Sequence, residues 1–207
     1  MSHFITFEGI EGVGKSTQVR LLSEALNRDG VPVLSTREPG GTPAGEAIRE
    51  LLLHRDATPI DDDTELLLIF AARAQHLAQV IRPALAAGKV VICDRFTDAT
   101  YAYQGGGRGI SRERISQLER WVQNELRPDI TFLLDVPVNI GRERAHGRGA
   151  GADRFEREQE DFFERVRAQY LHLAEQEPGR VELVNAGADI AAIHELVYAR
   201  AQRLLKK

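Results

Sequence analysis

Residues 9–16 read Gly9-Ile10-Glu11-Gly12-Val13-Gly14-Lys15-Ser16, which has the form G-x-x-x-x-G-K-S/T. That pattern suits a polyphosphate. Backbone N–H groups must turn inward around the anion, and glycines permit both the turn and the close approach. Residues Gly9, Ile10, Glu11, Gly12, Val13, Gly14, Lys15, Ser16 and Thr17 are therefore expected to cradle the phosphates of a nucleoside triphosphate. A helix opening at Lys15 would direct its positive end at the same charges. Lys15 is expected to span the β- and γ-phosphates, and the Ser16 hydroxyl to bind Mg²⁺.

The motif alone does not say where the phosphate goes, because kinases, ATPases and GTPase switches share it. The chain has no N-K-x-D guanine-reading motif. Asp94-Arg95 follows the apolar run Val90-Val91-Ile92-Cys93. Ligands of open α/β sheets bind beyond the carboxyl ends of strands. An Asp there can hold the Mg²⁺ shell, and an Arg can clamp a second phosphate. Residues 142–157 hold Arg142, Arg144, Arg148, Arg154 and Arg157 among Gly147, Gly149 and Gly151. A glycine-broken stretch carrying arginines suits a lid, at about 142–154, that closes on a transferring phosphate. The six histidines lack metal-ligand spacing and read as structural or surface residues.

These residues need a scaffold, and short apolar runs alternate with helical patterns along the chain. Strands are expected at Phe4–Phe7, Val31–Leu34, Val90–Cys93, Ile130–Leu134 and Val181–Val184. Helical patterns run from Lys15 to Asn27, after Thr42-Pro43, from Thr64, from Ser111 to Glu125, from Phe155 to Ala174 and from Asp189 to Leu204. Asp61-Asp62-Asp63 places negative charge at a helix start, and Pro83 should kink or divide that helix. Trp121 reads as a packing residue, and Gly105-Gly106-Gly107 as a loop. The order predicts a doubly wound α/β fold with a five-stranded parallel sheet flanked by helices.

Composition narrows the classes. Lys and Arg number 27 against 31 Asp and Glu, a net charge of −4 over 207 residues, which argues against nucleic-acid partners. One cysteine excludes a disulfide scaffold and a multi-cysteine metal site. No apolar run approaches the roughly 18 residues of a membrane span, and no secretory signal pattern opens the chain. A cytoplasmic single domain over 1–207 is the expectation.

The chain resembles the bacterial thymidylate kinase family, of P-loop nucleoside-monophosphate kinase type. The resemblance rests on Phe7-Glu8-Gly9 through Thr17, on Thr36-Arg37-Glu38-Pro39-Gly40-Gly41-Thr42, and on Phe70-Ala71-Ala72-Arg73-Ala74-Gln75-His76. It continues through Asp94-Arg95-Phe96, Tyr101-Ala102-Tyr103-Gln104-Gly105-Gly106-Gly107-Arg108-Gly109 and Asp153-Arg154-Phe155-Glu156. It implies phosphoryl transfer from ATP to dTMP with Mg²⁺, toward dTTP for DNA replication, by a homodimer packed through helices. The alternatives are another nucleoside-monophosphate or deoxynucleoside kinase, or a P-loop regulatory ATPase. A phosphate monoester acceptor is largely a dianion at neutral pH, so no general base is needed.

The resemblance also implies residue roles. Some members carry an arginine in the P-loop; here that position is Gly12, so the chain resembles the form that supplies arginines from the lid. Arg148 would then be the transition-state arginine, with Arg142 and Arg144 nearer ATP, and Lys15, Arg95 and Asp94 completing the catalytic set. The lid segment, Arg148-Gly149-Ala150-Gly151-Ala152-Asp153-Arg154, has one residue more than the usual pattern and lacks its leucine. Glu11 would contact the deoxyribose 3′-hydroxyl. Arg37 and Glu38 would line the dTMP phosphate side. Arg73 would read a thymine carbonyl, and Phe70 would stack on the base. The family places that ring four residues before the arginine, where Ile69 stands here. Thr100 and Gln104 would meet the base edge and phosphate side, and Tyr103 the sugar.

Overall fold

The computed structural model describes residues 2–53, 59–146, 154–156 and 158–206. Five strands, β1 (His3–Glu8), β2 (Val33–Arg37), β3 (Val90–Asp94), β4 (Ile130–Asp135) and β5 (Val181–Asn185), form one sheet. All pairs are parallel, in the order β2-β3-β1-β4-β5. Parallel strands covered on both faces read as continuous apolar runs. Accordingly Ile5, Phe7, Ile92 and Phe132 are fully buried. The central β1 pairs Phe7 with Asp94 of β3 and Glu8 with Leu133 of β4. That register sets the loop after Glu8 beside Asp94-Arg95, at the carboxyl end of the sheet.

The helices are α1 (Lys15–Arg28), α2 (Pro43–Leu53), α3 (Asp62–His76), α4 (Arg82–Ala86), α5 (Thr97–Thr100), α6 (Arg112–Gln123), α7 (Val138–His146), α8 (Glu160–Gln176) and α9 (Ile190–Leu205). The Asp61 side chain caps α3 by accepting from Asp63 N at 3.1 Å, as the acidic run predicts. Ser111 caps α6.

Several local expectations are corrected. β2 starts at Val33 rather than Val31, because Pro32 has no N–H for the ladder; its carbonyl still accepts from Val90 N at 2.9 Å. Pro83 is accommodated by a π-helical turn, Leu77–Ile81, leading into α4. The extra residue in that turn relieves the clash of the proline ring with the preceding turn. The Gly105-Gly106-Gly107 stretch is not a loop but lies in a second π-helical segment, Tyr101–Gly107, continuing α5. Its glycines serve close packing on α8: a Cβ on Gly106 would lie 2.7 Å from Gln169 Cβ, and one on Gly107 2.4 Å from the Phe162 ring. α8 starts at Glu160, not Phe155, and residues 154–156 form a turn. Trp121 is not a packing residue among the described residues; it is 79% exposed.

Candidate active site

The loop from Gly9 to Gly14 turns through positive φ at Gly9 (129°), Gly12 (77°) and Gly14 (92°), and α1 opens at Lys15. Gly12 is also needed for approach, since a Cβ there would sit 1.9 Å from the Gly141 carbonyl of α7. Ile10 and Val13 are buried in the core, so their backbones alone face the loop's interior. Glu11, Gly12, Gly14, Lys15, Ser16 and Thr17 line a cavity of about 480 Å³. Lys15 Nζ folds back on its own loop and donates to the carbonyls of Gly9 (2.9 Å) and Ile10 (2.7 Å). Burial, then the charge of Arg95, lowers its pKa to about 8. Ser16 Oγ donates to Asp94 Oδ2 at 3.0 Å, so the two groups expected at the cation meet between the start of α1 and the end of β3. A hydroxyl and a carboxylate are hard oxygen donors of the kind Mg²⁺ takes. No cluster of three or more His, Cys, Asp or Glu suited to a metal occurs among the described residues.

Arg95 leaves β3 at φ 71°, a left-handed conformation that costs a non-glycine residue roughly 1–3 kcal/mol. It is held there by its N–H on Phe7 O (2.9 Å) and by the Cys93 thiol on its own carbonyl (3.0 Å). The guanidinium thereby reaches the loop: Nη2 donates to Glu11 Oε1 (2.9 Å), with the Tyr103 ring 4.7 Å away. Tyr103 OH donates to the same Glu11 oxygen at 2.7 Å. Among the described residues, Glu11 Oε2 is buried without a partner.

Arg37, Glu38, Arg73, Thr100, Tyr103 and Gln104 all line the cavity. Arg73 is 2% exposed. Its Nε donates to Glu38 (2.7 Å), and its Nη2 to Thr100 Oγ1 (3.0 Å) and Phe96 O (3.1 Å). Its Nη1 is buried with no partner among the described residues. Glu38 also meets His76 Nδ1 at 3.0 Å, so it orients Arg73 rather than standing open beside a phosphate. Arg37 turns outward to Glu46 at 2.9 Å. Gln104 Nε2 donates to the buried Glu65 at 2.8 Å.

Phe70 is misplaced by the sequence reading. It is 2% exposed, lies in the core with Leu66, Ile115 and Leu173, and does not line the cavity; Ile69 does. At about 100° per residue, a four-residue step ends about 40° from the starting face and a three-residue step about 60° off on the other side. Phe70 instead lies beneath the Arg73 guanidinium at 4.9 Å. Arg142 and Arg144 stand on helix α7 rather than in a loop, and neither lines the cavity. Arg142 lies 5.6 Å from the Phe163 ring, and Arg144 donates to Ala186 O at 2.9 Å. Arg148 and residues 147–153 lie outside the described residues.

Three participants escaped the sequence reading. Glu8, fully buried at the end of β1, accepts from Phe96 N (2.7 Å) and from Tyr170 OH (2.7 Å). Tyr170 also accepts from Arg95 at 3.3 Å. Phe155 lines the cavity edge-on to Tyr103. Tyr170 had a signal, a polar-tipped ring on the apolar stripe Phe163-Val166-Tyr170 of α8; Phe155 had none beyond its motif.

Comparison with known proteins agrees with this geometry. The thymidylate kinase family model matches residues 7–197. The chain is 59% identical over 203 residues to the thymidylate kinase of Ectopseudomonas mendocina (strain ymp), covering 98% of this chain and 96% of that protein. It is 58% identical over 204 residues to that of Pseudomonas entomophila (strain L48), covering 99% and 97%. The crystal structure of thymidylate kinase from Ehrlichia chaffeensis superimposes with a TM-score of 0.79 at 39% identity, over 97% of this chain and 98% of that one. With a family model over residues 7–197, the span that holds residues 9–17, Asp94-Arg95 and the other cavity residues named above, and with relatives this similar over nearly their full length, the chain belongs to the thymidylate kinase family.

Proposed function

We infer that this kinase transfers the γ-phosphoryl group of ATP to the phosphate of dTMP, giving ADP and dTDP. The observation that carries the acceptor is a pair of buried polar atoms, Glu11 Oε2 and Arg73 Nη1, that have no partner among the described residues. Leaving a buried polar atom unpaired costs about 1–3 kcal/mol. A sugar hydroxyl donating to Glu11 and a base carbonyl accepting from Arg73 would satisfy both. The Gln104 carbonyl oxygen would accept from the thymine N3–H. Ile69 offers the base an apolar side chain in place of a ring, and Tyr103 closes the sugar side.

The chemical difficulty is the approach of two anions, which preorganised positive charge relieves. Lys15 and Arg95 supply it from the two halves of the cavity, and Arg148 from the lid. Gly12 has no room for a side chain under α7, which favours a lid arginine over one in the P-loop. Mg²⁺, held through Ser16 and Asp94, would neutralise charge on the donor phosphates. Leu51, Leu67 and Trp121 are 48%, 55% and 79% exposed on α2, α3 and α6, which pack as neighbours. This surface supports a homodimer. No helix among the described residues is long and apolar enough to cross a membrane, which is compatible with a cytoplasmic enzyme.

ADP release measured with dTMP, dUMP, dCMP and thymidine tests the reading. dTMP is expected to give the highest kcat/KM. A better acceptor among the other three, or ADP release unaffected by any of them, would defeat it.

A further inference from the structure

The base-reading amide of Gln104 has two chemically opposite ends, and something must decide which one faces the ligand. Its Nε2 donates to Glu65 Oε1 at 2.8 Å. Glu65 lies on α3 two turns before Arg73 and is fully buried. Its other oxygen accepts from Arg108 at 3.3 Å and from Arg154. A carboxylate between two guanidinium groups offers acceptors only, so it can hold the NH₂ end of an amide and not the carbonyl end. The amide is thereby fixed, and Oε1 is the end left for the cavity that Gln104 lines.

We propose that Glu65 is a specificity-determining positioning residue, which sets the hydrogen-bond polarity of Gln104 so that the site accepts a base with an N3–H and an O4 and rejects one with a bare N3 and an amino group. This rests on the dTMP reading above. Thymine presents a donor at N3 and an acceptor at O4; cytosine presents the reverse. Arg73 Nη1 supplies the donor and Gln104 Oε1 the acceptor. With an amide at position 65, either orientation of Gln104 can be bonded, and the discrimination weakens. Glu65 also anchors the turn at 154–156, since Arg154 Nε donates to Leu52 O at 2.8 Å while its Nη2 meets Glu65. The test must separate these two roles.

The experiment is steady-state kinetics with dTMP and dCMP on the full chain, with melting curves as the fold check. Glu65→Gln is expected to raise the dCMP:dTMP ratio of kcat/KM by about ten-fold or more, because a site built for one polarity rejects the other strongly. The loss with dTMP should lie in KM, with kcat within about three-fold. Glu65→Asp keeps an acceptor-only group and should hold the ratio within about three-fold of wild type. Arg154→Gln, which disturbs the turn but not Gln104, should do the same. An unchanged ratio in Glu65→Gln, or an equal rise in Glu65→Asp or Arg154→Gln, would overturn the proposal. Should Glu65→Gln not fold, a rise of about ten-fold in Glu65→Asp would still overturn it. Gln104→Leu distinguishes the two levels of failure. A raised KM for dTMP with no Glu65 effect overturns the Glu65 role alone, whereas an unchanged KM overturns the base-edge reading with it.

Discussion

Lys15 shows how a single side chain can be poised for an anion. Its amine rests on two carbonyls, and burial with the Arg95 charge lowers its pKa to about 8. Anionic phosphate oxygens in place of those carbonyls favour the charged form. ATP binding at pH 8, where about half of the amine is neutral, is therefore expected to take up roughly half a proton at Lys15, and at pH 6, where the amine is already charged, Lys15 should contribute no uptake. Calorimetry in two buffers of different ionisation enthalpy measures this directly. Arg73 makes a second prediction. Arg73→Lys keeps the charge but loses the planar fork that bonds Glu38 and Thr100 together and is proposed to meet a base carbonyl. It is expected to raise the KM for dTMP about ten-fold or more and to narrow the preference over dCMP, with a smaller change in kcat. A fall in kcat at unchanged selectivity would contradict its role. These residues were legible because their types and motif positions name their chemistry. Phe70 was not, because the choice between two adjacent positions depends on a few tens of degrees of helix rotation that packing sets.

The elements that carry the site are held at short range. The π-helical segment bearing Tyr103 and Gln104 touches α8 through Gly106 and Gly107, whose missing side chains let the two backbones approach. Gly107→Ala would place a methyl 2.4 Å from a ring carbon of the buried Phe162. Overpacking of this kind costs about 1–3 kcal/mol, or several degrees of melting temperature in a chain of this size. A melting curve indistinguishable from wild type would show that α8 yields freely. The glycines were visible in the sequence, but their purpose was not: three in a row suit a turn locally, and only the neighbouring helix makes them a packing surface. α7 constrains the nucleotide loop in the same way, from the opposite side, through the Gly141 carbonyl over Gly12.

At the scale of the molecule, a buried carboxyl ties the sheet to the site. Burial, followed by the charge of Asp98, raises the Glu8 carboxyl from 4.5 to about 7, against the opposing effect of Arg95. The folded protein then binds more protons than the unfolded chain between pH 4.5 and 7. The associated stability is fully present below about 4.5 and is lost as pH rises through 7. Glu8→Gln should flatten that slope, removing a change of about 3 kcal/mol across the window. Denaturant unfolding at pH 5 and pH 7.5 checks it. The exposed Trp121 offers a test of the proposed homodimer. Trp121→Glu is expected to shift the protein from dimer to monomer in analytical ultracentrifugation, and a monomeric wild type would remove the homodimer from the proposal.

The sequence by itself determined the parallel α/β sheet, the nucleotide loop and the family, because apolar runs, glycine spacing and contiguous motifs are local and survive without contacts. Tertiary structure decided which atoms are left to a ligand. Among the described residues, Glu11 Oε2 and Arg73 Nη1 are left unpaired while Arg95, Tyr103, Glu38 and Thr100, distant in the chain, occupy the neighbouring atoms. The polarity of Gln104 was decided at the same level, by a carboxylate 39 residues away. Hydrogen-bond valence is shared among all the groups that fold into reach, and no local pattern records how it is divided.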